Sequence, residues 1–445
     1  MTFIQLFQFI LSISILVILH ELGHFIPAKL FKTKVEKFYL FFDPWFSIAK
    51  KKIGDTEYGI GWLPFGGYVK IAGMVDESMD TEQLKKPAEP WEFRSKPAWQ
   101  RLIIMMGGVT VNFFLAWIIY SSLSYFKGET YHDNTKFENG ISVSSAGEKM
   151  GLKNGDKILK IDGKPAERME TSTINMLFAN EVTVLRDGKE VVFPVNEDGV
   201  ADVLAENEAK MYFSPRFTTI VDSLTPTGGA QAAGLVKGDR ITGINGVSVP
   251  FYDQLQSQLL KSKNQDVVLQ IQRNNAPSEV TVKVDGNGKL GFTRDFEVVK
   301  DQLDHAKVTK SYSIGEAIPR GLTRTIDVLT MQIKQFKIVF NTKTQGYKKV
   351  SGPIGIIKQM PETINWEFFW SFTAMFSVWL AFLNLIPIPG LDGGHVVFTL
   401  WEMITGKPVP QKVLENAQMI GVIFLLGLMI LIFGNDIVKW ITGKF

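Results

Sequence analysis

Four stretches of the chain are apolar enough and long enough to cross a bilayer. Residues 3–19 carry no charge, and the apolar character runs on to Phe31. About 20 residues rising roughly 1.5 Å each cover the hydrocarbon core. Further spans are expected from about Leu102 to Phe126, from about Phe368 to Leu391 and from about Met419 to Phe433. The first run has no basic segment before it and no small-residue cleavage site after it, so it reads as a spanning helix and not as a signal peptide. Between the second and third spans the pattern changes. "AGEKMGLKNGDKILKIDGKPA" (146–166) aligns with "GGAQAAGLVKGDRITGINGVSV" (228–249), Gly151 falling on Gly234. A period of about 80 residues suits two small domains better than a solenoid, whose repeats run roughly 20–50 residues. The shared G-L-x-x-G-D-x-I-x-x-I-[DN]-G reads as a turn into a short strand, closed by a tight Asp-Gly or Asn-Gly turn. After the repeats, Ile314, Ile318, Leu322, Ile326, Leu329, Ile333, Phe336 and Phe340 recur in steps of three and four, interleaved with Arg320, Arg324, Lys334 and Lys337. That spacing predicts an amphipathic helix, lying on the membrane surface or covering the repeats.

Charge orients the spans. Between the first two lie Lys29, Lys32, Lys34, Lys37, Lys50, Lys51, Lys52, Arg94, Lys96 and Arg101, whereas nothing basic precedes His20. The positive-inside rule puts this segment in the cytoplasm, and both termini and 127–365 on the exported side. A net charge of +3 gives no reason to expect nucleic acid as a partner. The chain has no cysteine, which excludes disulfides, thiolate nucleophiles and Cys-ligated metals.

Polar groups appear where the first span should be driest, in "ILHELGHF" (18–25). His20 and His24 are four apart, so a helix stacks them on one face about 5–6 Å apart, able to share an ion. Glu21 stands beside the first of them, positioned as general base for a metal-held water. Neutral imidazole with carboxylate in a tetrahedral site suits one zinc ion, which lowers the pKa of bound water towards about 7. Intramembrane His and Glu are costly and mark functional cavities. A catalytic zinc needs a third protein ligand. Of the remaining histidines, His132 and His305 fall on the exported side, leaving "NLIPIPGLDGGH" (384–395) in the third span. Asp392 is the better third ligand and His395 the runner-up, with a supporting or interfacial role also open to it. Pro387 and Pro389 break the helix there, which lipid tolerates only beside protein or a wet cavity.

H-E-L-G-H in a first span with N-x-x-P-x-P-x-L-D-G-G in a later one resembles the site-2 protease family of intramembrane metalloproteases. The 146–166 and 228–249 repeats resemble the core signature of PDZ domains, and such a pair between spans two and three is similar to the sigma-E-regulating bacterial branch of that family. "GWLPFGGYVKIAG" (61–73) and "VSGPIGI" (350–356) resemble that branch too, whereas "MGGVTVN" (106–112) departs from an Ala-Gly-Pro before the asparagine and bears on local helix packing. The resemblance implies an α-helical integral membrane protein with four transmembrane helices, a cytoplasmic-side re-entrant β-hairpin and two inserted PDZ-like α+β domains. The expected organisation is 1–31, first span; 32–98, cytoplasmic-side segment with the hairpin; 99–126, second span; 128–213 and 214–300, the PDZ pair; 306–361, amphipathic region; 366–396, third span; and 411–440, fourth. It also implies that His20, His24 and Asp392 hold zinc, that Glu21 activates water and that Asn384 contacts the substrate backbone or oxyanion. The resemblance places the hairpin at Trp62–Gly73, whose Gly67, Tyr68 and Val69 would clamp an unwound substrate as an added strand. Implied partners are the lipid bilayer of a bacterial cytoplasmic membrane and single-span substrates, such as anti-sigma factors already trimmed on the exported side and remnant signal peptides. Two other readings compete: a PDZ scaffold with a dead metal site, and a metal transporter. The first requires a missing ligand or base, and the second leaves Glu21 and the repeats without a task.

Overall fold

The computed structural model describes residues 2–74, 87–205, 211–339, 341, 343, 350 and 352–441. Residues 75–86 of the expected cytoplasmic-side segment, Phe340 of the amphipathic pattern and Ser351 of V-S-G-P-I-G-I lie outside the described residues. The chain divides into two compact units: Met1–Gly128 with Ser311–Ile333 and Val350–Phe445, and Glu129–Lys310 with Lys334–Lys349.

In the first unit four helices are long and apolar enough to cross a membrane: Phe3–Leu30 (α1), Ala98–Lys127 (α2), Trp366–Leu385 and Gln411–Lys439. α1 starts on a reciprocal cap in which the Thr2 hydroxyl accepts from the Gln5 amide and Gln5 reaches back to Thr2. Lipid offers helices little hydrophobic reason to associate, so contacts rely on small residues and polar bridges. Gly23 of α1 lies backbone to backbone against Gly107 of α2. Ser12 bonds Thr373 at 2.9 Å, and Ser377 donates to the Asn112 carbonyl at 2.7 Å, which ties the third span to both.

The third span is shorter than its hydropathy suggests. The helix stops at Leu385, and a separate one runs Asp392–Thr405, so residues 366–396 are not one continuous element. Pro387 and Pro389 supply no amide hydrogen, and the link survives on short turns from Ile386 N to Leu383 O and Leu391 N to Ile388 O. Asp392 therefore opens a helix on a loop instead of ending a span.

The expected hairpin within 62–73 is also different. Strands Val35–Ile53 (β1) and Thr56–Ile71 (β2) each bend, giving four segments side by side. Residues 35–40 pair on one flank with 67–71 and on the other with 57–60, while 49–53 pair back onto 56–60. Residues 67–71 therefore close against Val35–Leu40, not against 62–66. Phe41 and Trp45 take positive φ where β1 turns.

The periodic stretch after the repeats folds as the helix Ile314–Val339. Val328 and Leu329 pack with Ala116, Ile119 and Tyr120 of α2 and Ala374 and Val378 of the third span. Ile314, Ile318, Ile326 and Ile333 remain about half exposed.

In the second unit each repeat builds its own small sheet and core, one around Ile158, Val182, Val184 and Phe213, the other around Ile241, Leu255, Leu269 and Val282. The repeated Gly-Asp does the same work twice. Asp156 accepts the fork of Arg186 at 2.8 and 2.7 Å and the Lys153 amide; Asp239 accepts Arg273 at 2.8 and 2.7 Å and the Val236 amide. Burial works against the Asp239 charge, but these donors outweigh it and hold the carboxyl below its ordinary range. The entering strand Glu129–His132 is paired antiparallel with the leaving strand Lys307–Lys310, so the two ends of this stretch lie side by side.

Candidate metal centre

α1 has no proline before residue 27 and keeps regular turns through the motif, so His20 and His24 stack on one face with ring centroids 4.9 Å apart. The loop forced by Pro387 and Pro389 brings Asp392 to the same point. His20 Nε2 stands 3.3 Å from His24 Nε2, and Asp392 Oδ2 lies 3.3 Å from the first and 3.2 Å from the second. Among the described residues this is the group whose ligand atoms converge as a metal site requires, and His395 is not in it. Asn384 joins the group, its amide nitrogen 3.3 Å from His20 Nε2.

The triangle fits zinc. Two ligand atoms about 2.0–2.1 Å from a tetrahedral ion stand about 3.3–3.4 Å apart, which matches all three edges. The edges are longer than the roughly 2.7–2.9 Å of a charge-assisted N–H···O⁻ bond. Asp392 Oδ2 is buried and has no hydrogen-bond donor of its own. Each histidine spends its other nitrogen elsewhere. His24 Nδ1–H donates to the Ile104 carbonyl at 2.8 Å, leaving Nε2 as a lone pair. His20 Nδ1 lies 3.1 Å from the Asn112 side-chain amide, whose Oδ1 is buried and otherwise unpartnered. With that oxygen turned to the ring, Nδ1–H donates to it and Nε2 is left as the lone pair. Two lone pairs and a carboxylate oxygen then face one another, an arrangement that suits a cation between them.

Room for that cation depends on α2. A methyl at Gly108 would run into His24 Nε2 and the His20 ring, so the backbone of α2 forms a wall of the site. Ile104, Gly108 and Asn112 follow one another at helical spacing of four, one stripe facing the two histidines. Sequence reading gave Gly108 and Asn112 no part in the site; the signal was a lone asparagine and paired glycines inside an apolar run.

Glu21 lies close enough to His20, His24 and Asp392 for their charges to couple, and the Val69 amide lies beside its carboxylate. Gly67 packs on Val17, about one turn before His20, so residues 67–71 run alongside the motif. The Tyr68 side chain is engaged within the sheet: its hydroxyl donates to Asp43 at 2.9 Å and its ring stacks on Tyr39 at 5.3 Å. His132 pairs with Glu170 at 2.7 Å in the second unit.

A HExxH helix, a distant aspartate on a proline-broken loop and four membrane-length helices define a class of membrane metallopeptidase. The match to Peptidase family M50 covers residues 8–428, and the chain belongs to that family, the site-2 proteases. Relatives align over nearly their full length. The regulator of sigma-E protease RseP of Escherichia coli is 28% identical over 453 residues, covering 97% of this chain and 98% of that protein. Its Haemophilus influenzae counterpart, regulator of sigma E protease, is 28% identical over 456 residues, with 97% and 98% covered. A protein of Neisseria meningitidis that carries a zinc metalloprotease name is 28% identical over 453 residues, with 98% and 99% covered. The protein is a zinc metalloprotease.

Proposed function

We propose that this protease cuts single-span membrane proteins within or near the bilayer, with one zinc ion held by His20, His24 and Asp392. The observation that carries the reading is the near-equilateral 3.2–3.3 Å triangle built between α1 and the loop after the third span, among helices of membrane length. When bound, the zinc supplies a Lewis acid that polarises a carbonyl and acidifies water. Glu21 takes a proton from the attacking water and delivers it to the leaving amide nitrogen. The Val69 amide keeps that carboxylate oriented. Asn384 offers its amide hydrogens to the developing oxyanion. A helical substrate hides its peptide bonds in its own hydrogen bonds; pairing against residues 67–71 exposes them by trading helix bonds for sheet bonds.

The basic residues between 29 and 101 support a site towards the cytoplasmic face of a bacterial cytoplasmic membrane, with the termini and the second unit exported. The two repeats are read as PDZ domains, supported by their matching G-L-x-x-G-D turns and Asp–Arg pairs. Anti-sigma factors trimmed on the exported side, and remnant signal peptides, are the substrates this layout suits.

Dialysis of the liposome-reconstituted protein against a chelator is expected to abolish cleavage of a single-span test substrate. One equivalent of Zn²⁺ per chain should restore it. Undiminished cleavage by the metal-free protein would sink the reading. The second unit acts as a size gate. Replacing residues 129–310 by a short linker, which the paired ends 129–132 and 307–310 make possible, should let a substrate with an untrimmed exported domain be cut. If such substrates stay as resistant as before, the unit is not the gate.

A further inference from the structure

The last span, Gln411–Ile441, is strongly apolar but turns most of its apolar side chains outward: Ile420, Ile423, Ile430 and Leu431 are each at least 62% exposed. Its buried positions among the described residues are Gln418, Gly421 and Asp436. The positions this lipid-facing helix buries are thus two polar side chains and a glycine, although polar groups are the costly ones at such places. Gln418 and Asp436 are about five helical turns, roughly 27 Å, apart and on the same face. That distance approaches the hydrocarbon thickness of about 30 Å.

Both polar groups hold other segments, Asp436 the start of the helix Pro353–Gln359 and Gln418 the loop before Asp392. The buried Asp436 carboxylate accepts the amides of Gly352, Ile354 and Gly355 at 2.8, 3.0 and 3.2 Å. At the other end Gln418 Oε1 accepts the Gly390 amide at 3.1 Å. Gly421, nearly one turn on, lets the helix backbone meet the loop directly, since a methyl there would run into the Pro389 carbonyl. Pro389 and Gly390 sit immediately before Leu391 and Asp392. Within the loop the prolines cannot donate, so its own bonds are the short turns at Ile386, Ile388 and Leu391, and the Gly390 amide bonds outside it, to Gln418.

We propose that Gln418 is a positioning residue for the metal centre: the last span fixes Asp392 by holding Gly390 through Gln418 and Pro389 against Gly421. This rests on the reading of Asp392 as a zinc ligand. Groups that orient a ligand from outside the coordination shell typically contribute about 10–100-fold to metal affinity. Gln418→Met keeps the length and removes the acceptor, and Gln418→Glu keeps an acceptor oxygen.

The test measures zinc affinity by competition with a fluorescent chelator in the full-length protein in detergent, beside the unfolding temperature of the zinc-free form. Gln418→Met is expected to weaken zinc binding about 10–100-fold with little change in zinc-free unfolding, and Gln418→Glu to restore most of it. Zinc held as tightly by Gln418→Met as by wild type would overturn the proposal. So would equal loss in both variants, because then the acceptor is not what matters. Asp392→Asn separates the two readings: if it too keeps zinc at wild-type affinity, the assignment of the ligand fails, and not only that of its positioning residue.

Discussion

Glu21→Gln is expected to leave zinc in place and remove turnover. Glutamine has the shape of glutamate and can still meet the Val69 amide through its carbonyl oxygen, but it cannot take up a proton. Glu21 is not among the converging ligand atoms, which come from His20, His24 and Asp392. Metal content and folding should therefore survive. General base catalysis contributes about 10²–10⁴-fold, and kcat should fall by at least that much while KM changes little. The check is zinc content by atomic absorption beside single-turnover cleavage of a reconstituted single-span substrate. Retained cleavage would remove Glu21 from the mechanism; lost zinc would make it a structural member of the site instead.

Gly108→Ala should damage the centre without touching a ligand. The added methyl is directed at His24 Nε2 and the His20 ring, and neither can retreat freely. His24 is held at 2.8 Å to the Ile104 carbonyl, and His20 is bracketed by Asn112 and Asn384. Overpacking of a fixed site costs about 1–3 kcal/mol, so zinc affinity should drop by roughly 5–150-fold, with activity following occupancy at limiting metal. Gly427→Ala is the control, because nothing lies within 4 Å of the position its methyl would take. Wild-type zinc affinity in Gly108→Ala would mean that α2 stands further from the histidines than described.

The chain alone determined those features that depend on neighbours in sequence. Hydrophobic runs of membrane length mark α1, α2, the third span and the last, because each helix satisfies its own backbone in lipid. His20, Glu21 and His24 could be read together, since helical spacing puts residues four apart on one face. The repeated Gly-Asp turns were visible for the same reason. Asp392 was legible as an acidic residue stranded among prolines and glycines, although nothing local told how near it comes to the first span.

Tertiary structure decided everything carried across long separations. Residues 67–71 pair with 35–40 and not within 62–73, because strand register is set by whichever edge is presented and a short glycine-rich stretch fixes no partner. The third span ends at Leu385, a boundary that hydropathy cannot see when apolar residues continue past it. Gly108, Asn112 and Ile104 meet the two histidines, and Gln418 meets the loop before Asp392, only through packing. A glycine beside a ring, a carbonyl bonded to an imidazole and an amide held across two helices leave no periodic trace in the chain, since each depends on contacts between segments that sequence lists far apart.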